Sequence, residues 1–125
     1  MQKHNTFEIA QEQVDRCARI LKLDPKVHDI LRVPRREIHA SLPVTMDDGS
    51  VRVLRGFRVQ YNNSIGPMIG GVRFHPSDIL DTVRAMAAWM TWKCALVGVP
   101  LLAGASSLVD PVEQVGLVHR LEQAE

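Results

Sequence analysis

Between Asp78 and Pro100 the chain reads DILDTVRAMAAWMTWKCALVGVP, and this stretch limits the fold more than any other. Its apolar residues recur at helical rather than alternating spacing, and from Ala85 onward they wrap nearly every face of the helix they imply. Such a helix must be covered by other parts of the protein, so the rest of the chain is expected to pack around it. At about 3.6 residues per turn, Met86, Trp89, Met90, Lys93 and Val97 share one stripe. Lys93 is therefore the only charge in the second half of the helix, and it points the same way as large hydrophobes. An unpaired buried ammonium is too costly to keep, so Lys93 snorkels to water, pairs with a buried carboxylate or meets an anionic ligand. Helix geometry leaves all three open and favours snorkelling.

The segments before this helix have their own periodicities. From Phe7 to Leu23, Ala10, Val14, Cys17 and Leu21 recur at helical spacing opposite Gln11, Glu12, Asp15, Arg16 and Arg19, which predicts an amphipathic first helix. Asp24-Pro25 is a helix-start pair for a short second helix through Val27, Ile30 and Leu31, and Pro34 ends it. Ile38, Ala40, Leu42 and Val44 then alternate with Glu37, His39, Ser41 and Pro43, the period of a strand with one buried face; Pro43 places part of it at a sheet edge. Met46-Asp47-Asp48-Gly49-Ser50 is a turn sequence, and Val51, Val53, Phe57, Val59 and Tyr61 alternate after it, so the unit is a β-hairpin. Residues 62–66 read as a loop, Gly70-Gly71 as a close backbone approach, and Val72 to Phe74 as a short strand closed by Pro76. Beyond Gly98 and Pro100, Leu101 to Val109 reads as a loop leading into a buried strand that ends at Asp110-Pro111, with a short helix after Val112. Helices flanking strands, with no repeat or linker, make this one α/β domain, a mixed sheet flanked by helices.

Composition narrows the function classes. A chain of 125 residues with 46% hydrophobic and 23% charged residues has room for one real core. Its net charge of +1 lacks the basic excess of a nucleic-acid binder. No apolar run reaches the ~18 residues of a membrane span, and the N-terminus lacks an apolar signal core. Cys17 and Cys94 lie in helical, mostly apolar patterns without zinc spacing, which reads as two reduced core thiols of a cytoplasmic protein.

Few motifs carry chemistry by themselves. Gly66-Pro67-x-x-Gly70-Gly71 would suit an anion-cradling loop, although glycine-rich turns are more often structural. Arg32, Arg35 and Arg36 read as a solvated basic face, and His75 as a structural histidine, since no second ligand stands at metal spacing. Ser106-Ser107 has no nucleophile motif, and the chain contains neither Gly-x-Gly-x-x-Gly nor a P-loop.

In combination the motifs say more. Met46-Asp47-Asp48-Gly49, Gly56-Phe57-Arg58-Val59-Gln60-Tyr61, Gly66-Pro67, Gly70-Gly71-Val72-Arg73-Phe74-His75-Pro76, Met90-Thr91-Trp92-Lys93-Cys94-Ala95 and Val109-Asp110-Pro111 stand in one order across almost the whole chain. Together they closely resemble the N-terminal substrate and oligomerisation domain of glutamate dehydrogenases and the wider Glu/Leu/Phe/Val dehydrogenase family. The resemblance implies oligomer contacts, part of an amino-acid site, and a following Rossmann domain for NAD or NADP that is expected to be absent from residues 1–125. It also implies three site lysines. The first precedes the glycine pair and binds a substrate carboxylate; here that position is Ile69, beside Gly70 and Gly71. The second, which contacts the same end of the substrate, is retained as Lys93. The third, the catalytic lysine, lies in a Gly-Gly-Gly-Lys-Gly-Gly segment that here reads Leu102-Ala103-Gly104-Ala105-Ser106-Ser107, with Ala105 in its place. The family's acid/base aspartate falls beyond Glu125.

Oxidative deamination needs a polarising lysine, a proton-moving carboxylate and a nicotinamide held against the substrate. The expectation is therefore a catalytically silent domain without catalytic, cofactor or metal residues, working as an oligomerisation or regulatory subunit with itself or with a full-length dehydrogenase. The competing expectations are a piece of an NAD(P)-dependent dehydrogenase whose cofactor domain is elsewhere, and a remnant without a role. Lys93, lacking a ligand, is expected to pair with Asp110 or turn to solvent.

Overall fold

The computed structural model describes residues 5–76, 78–100 and 102–109. Three helices and five strands follow in the order α1 (Thr6–Leu21), α2 (Pro25–Arg32), β1 (Arg36–Thr45), β2 (Val51–Gln60), β3 (Met68–Ile69), β4 (Val72–Phe74), α3 (Leu80–Leu96) and β5 (Leu102–Val109). The expected α/β fold with a mixed sheet is present. β5 pairs antiparallel with β2 on one side and parallel with β3 and then β4 on the other, while β1 pairs with β2 and forms the far edge.

Local chemistry explains the element boundaries. Asn5 caps α1 by accepting from the Phe7 amide (2.9 Å), and Lys22 adopts a left-handed conformation (φ 50°) that turns the chain out of the helix. Asp24 accepts from the Lys26 amide (2.8 Å) with Pro25 in the first turn, as the sequence predicts for α2. The β1–β2 turn closes through the Met46 amide on Ser50 O (2.8 Å), with Gly49 at φ 80° where a side chain would be strained. Gly98, at φ 70°, ends the α3 segment.

α3 is the middle layer, with the sheet on one side and α1 on the other. Val83, Ala85, Ala87 and Ala88 are fully buried, and small side chains on two sides let both neighbours come close. Val59, Tyr61, Ala10 and Ala105 complete the core, with Trp89 and Trp92 packed against it. Complete burial of Val59 and Val83 contributes about 1.5–3 kcal/mol each. Burial pushes the Tyr61 phenol up to about 12, and its hydroxyl donates to Leu31 O at 3.0 Å, tying α2 to the sheet.

Several expectations are corrected. The second half of α3 is not covered on every face: Met90, Lys93, Leu96 and Val97 are exposed, while Trp89 donates to Gln13 of α1 at 2.9 Å and Trp92 packs against the core. α1 buries Ala10, Val14 and Ala18, so Cys17 and Leu21 are not core residues; Cys17 is exposed and Cys94 half-buried, both as free thiols. Leu102 to Val109 is strand throughout rather than a loop leading into one, since its backbone is paired on both sides. β3 is an addition that two residues of sequence could not announce. In β1, ladder pairing with β2 gives the expected alternation, but its apolar side is not the buried one. The expected helix after Val112 lies outside the described residues.

An ionic cluster joins the layers. Arg84 on α3 grips Glu37 of β1 at 2.6 and 2.8 Å, donates to Asp81 at 2.7 Å and stands over the Phe7 ring at 5.8 Å. The Arg84 hydrogen bond outweighs burial and holds the Glu37 carboxyl below its ordinary 4.5. Burial of Asp81 opposes ionisation, but hydrogen bonds from Asn5 and Arg84 hold its carboxyl below 3.8. A depressed carboxylate stabilises the fold above its unfolded value and stops doing so as pH falls through the folded one. Arg84→Met is expected to cost about 2 kcal/mol near neutral pH and less in strong acid, once pH has fallen through the depressed folded values of both carboxyls. Urea titrations at the two pH values check this; an equal loss at both would contradict it.

Candidate functional site

The positions singled out in sequence converge around one end of β5. Parallel pairing sets Met68 opposite Leu102 and Ile69 opposite Ala103, and the chain then crosses Gly70-Gly71 before β4 pairs with residues 106–108. At the crossing, a Cβ on Gly70 would lie 1.3 Å from Gly104 O, so the two backbones touch where only glycine fits. The Ser106 amide donates to Gly71 O at 3.2 Å, which fixes the same crossing from the other residue. Both glycines thus act here through the backbone of β5.

The side chains at the lysine positions are apolar at two of the three. Ile69 on β3 is 57% exposed, and Ala105 on β5 is 8% exposed within the core cluster beside Val59, its ladder partner. Lys93, on the last turns of α3, is exposed and makes no hydrogen bond or ion pair among the described residues. Its exposure is compatible with a turn to solvent; the expected pairing with Asp110 lies outside the described residues. The structure brings Ile69, Gly70, Gly71 and Ala105 to neighbouring strands, and Lys93 stays on the exposed stripe of the helix.

Polar residues without a sequence-derived role shape this region. Arg58 on β2 reaches over Gly104, donating from Nη1 to Ser106 Oγ (2.8 Å) and from Nη2 to Met68 O (3.1 Å). Ser107, 1% exposed, donates its hydroxyl to Asp78, itself 2% exposed, at 2.8 Å, and Arg73 Nε stands 3.1 Å from the same carboxylate oxygen. Asp78 looked like an ordinary acid ahead of a helix, and Ser106-Ser107 matched no motif; nothing at those spacings signalled partners 29 and 48 residues away. The guanidinium groups of Arg58 and Arg73 are occupied by the protein's own acceptors. No group of three metal-ligating side chains occurs among the described residues, and the Arg32 and Arg35 side chains bond Asp15 (3.0 Å) and Asn63 (2.6 Å) on the surface.

A family model, described as the dimerisation domain of Glu/Leu/Phe/Val dehydrogenases, matches residues 34–115. The chain belongs to this family. It is 44% identical over 108 residues to the NAD-specific glutamate dehydrogenase of Clostridioides difficile, covering 86% of this chain and 26% of that protein. Glutamate dehydrogenase from Peptoniphilus asaccharolyticus superposes with a TM-score of 0.81 at 42% identity, covering 88% of this chain and 28% of that one. The hetero-hexameric glutamate dehydrogenase of Thermus thermophilus, in a leucine-bound form, gives 0.79 at 35% identity, with 88% and 27% covered. This glutamate dehydrogenase-like N-terminal domain thus spans about a quarter of the length of the relatives it matches. No helix among the described residues is long and apolar enough to cross a membrane.

Proposed function

We propose that this glutamate dehydrogenase-like domain, residues 1–125, is catalytically silent and serves as an oligomerisation or regulatory subunit, assembled with itself or with a full-length dehydrogenase subunit. The observation that carries the reading is the pair Ile69 and Ala105: one is an exposed isoleucine and the other a buried methyl, where the resemblance calls for ammonium groups. A charge-assisted hydrogen bond to an anionic substrate is worth about 1.5–3 kcal/mol, and neither side chain can make one. The free thiols Cys17 and Cys94 suit the cytoplasm. The dimerisation-domain family and a hetero-hexameric relative support assembly. The test is native mass by light scattering over a wide dilution range, combined with a glutamate-dependent NAD or NADP assay. A persistent oligomer without turnover is expected; turnover by the chain alone would end the silent reading, and a monomer at every concentration would end the assembly reading.

Retention of Lys93, exposed and unengaged among the described residues, favours a second reading in which the domain works within an NAD(P)-dependent glutamate dehydrogenase. In that case a mixture with a dehydrogenase cofactor domain will reduce NAD or NADP with glutamate, and Lys93→Ala will abolish the reaction. Failure of the mixture to turn over rejects it.

A further inference from the structure

Helix α1 carries an apolar stripe that the fold does not fill. Val14, Cys17 and Leu21 stand at i, i+3 and i+7, the spacing of one helix face, yet only Val14 is buried; Cys17 is exposed and Leu21 is 67% exposed. The stripe is one wall of a pocket of about 390 Å³, and Leu23 after the helix, Leu31 of α2 and Trp92 of α3 supply the others. Small-molecule sites occupy about 300–1,000 Å³, and an apolar cavity of ~150 Å³ already accepts benzene. The walls contain no acid, lysine, arginine or histidine. Gln13 completes the lining, and its side-chain oxygen is already taken by Trp89 Nε1 at 2.9 Å.

α2 flanks this space without packing into it. None of its residues is buried, and its last turn is held by polar contacts. His28 Nε2 lies 2.7 Å from Asp15 Oδ1, Arg32 Nε donates to the same oxygen at 3.0 Å, Gln11 Nε2 donates to Arg32 O at 3.1 Å, and the Tyr61 hydroxyl donates to Leu31 O at 3.0 Å. These bonds fix α2 beside α1 and leave the apolar space between them open. Wall atoms that face an unfilled gap forgo dispersion contacts, which a guest of the right size restores.

We infer that this pocket binds a small uncharged aromatic molecule of one or two fused rings. Trp92 offers an indole ring for an edge or offset contact, Cys17 a polarisable sulfur, and the leucines and Val14 aliphatic walls. A charge carried inside would find no partner in the lining. The inference goes beyond the assembly reading and does not depend on it: six of the seven lining residues lie before residue 34, where the match to the dimerisation domain begins.

Calorimetry of the full chain with indole tests it. Indole is expected to bind with a Kd below about 1 mM, and indole-3-acetate, which adds a carboxylate, at least about 10-fold more weakly. Cys17→Phe, which fills the pocket from its own wall, is expected to weaken indole by about 10-fold or more with unchanged circular dichroism. Val97→Phe, at a position 71% exposed and outside the lining, should leave the affinity within about threefold. Indole is also expected to slow labelling of Cys17 by iodoacetamide and leave Cys94 unaffected. Absence of binding up to about 5 mM, equal binding by Cys17→Phe, or equal binding of indole-3-acetate each overturns the inference. Cys17 that is already protected from iodoacetamide, in a chain that does not bind indole, would show a protein surface occupying the pocket and overturn the small-molecule ligand.

Discussion

Gly70→Ala is expected to destabilise the domain by about 3 kcal/mol or more, although it adds a single methyl group. The new carbon would sit 1.3 Å from Gly104 O, and both sides of the contact are backbone held in the sheet: β3 before Gly70, β5 through Gly104. No side chain can swing away to relieve the overlap, so the β3–β5 pairing must open. The adjacent glycine provides the comparison, since a Cβ on Gly71 would meet nothing within 4 Å. Gly71→Ala is expected to change stability by less than about 1 kcal/mol. Urea midpoints of the two variants decide the matter, and similar midpoints would disprove the backbone contact. Where a lysine precedes it, a glycine pair reads naturally as ligand-binding; here the first glycine is required by the sheet itself.

Asp78→Ala is expected to cost about 3 kcal/mol. The carboxylate is 2% exposed, and its removal leaves the fully buried Ser107 hydroxyl without the acceptor it now uses. Arg73 is half exposed and finds water, so the loss falls mainly on the connection between β5 and the start of α3. Ser107→Ala removes one hydrogen bond and is expected to cost about 1 kcal/mol. Because the two residues share that hydrogen bond, the double variant should lose less than the sum of the single losses. Thermal denaturation of all three provides the check, and full additivity would show that the Ser107–Asp78 pair carries no coupling.

Much of this architecture is legible from short-range chemistry. The Asp24-Pro25 start of α2, the Asp48-Gly49 turn, the Val72 to Phe74 strand and Pro43 on an edge strand are each set by residues within a few positions of one another, and the structure places them as expected. The errors about burial share one cause. Periodicity tells which side of an element is apolar, and only the arrangement of elements tells whether that side is covered. Cys17 and Leu21 on α1, Met90 and Val97 on α3, and Ile38, Leu42 and Val44 on β1 all have the pattern of buried residues and are exposed.

The candidate site divides in the same way. Which residue types stand at the lysine positions, Ile69, Lys93 and Ala105, is a property of sequence, and so is the absence of two charges. Sequence by itself therefore determined the family resemblance, the order of the longer elements and the missing ammonium groups, because these depend on residue identity and local spacing. The tertiary structure decided that Ala105 is buried beside Val59, that Lys93 stands in solvent, that Gly70 touches Gly104, and that Arg58 and Asp78 are engaged by Ser106 and Ser107. Each depends on strand register and burial, which arise only when segments tens of residues apart are brought together.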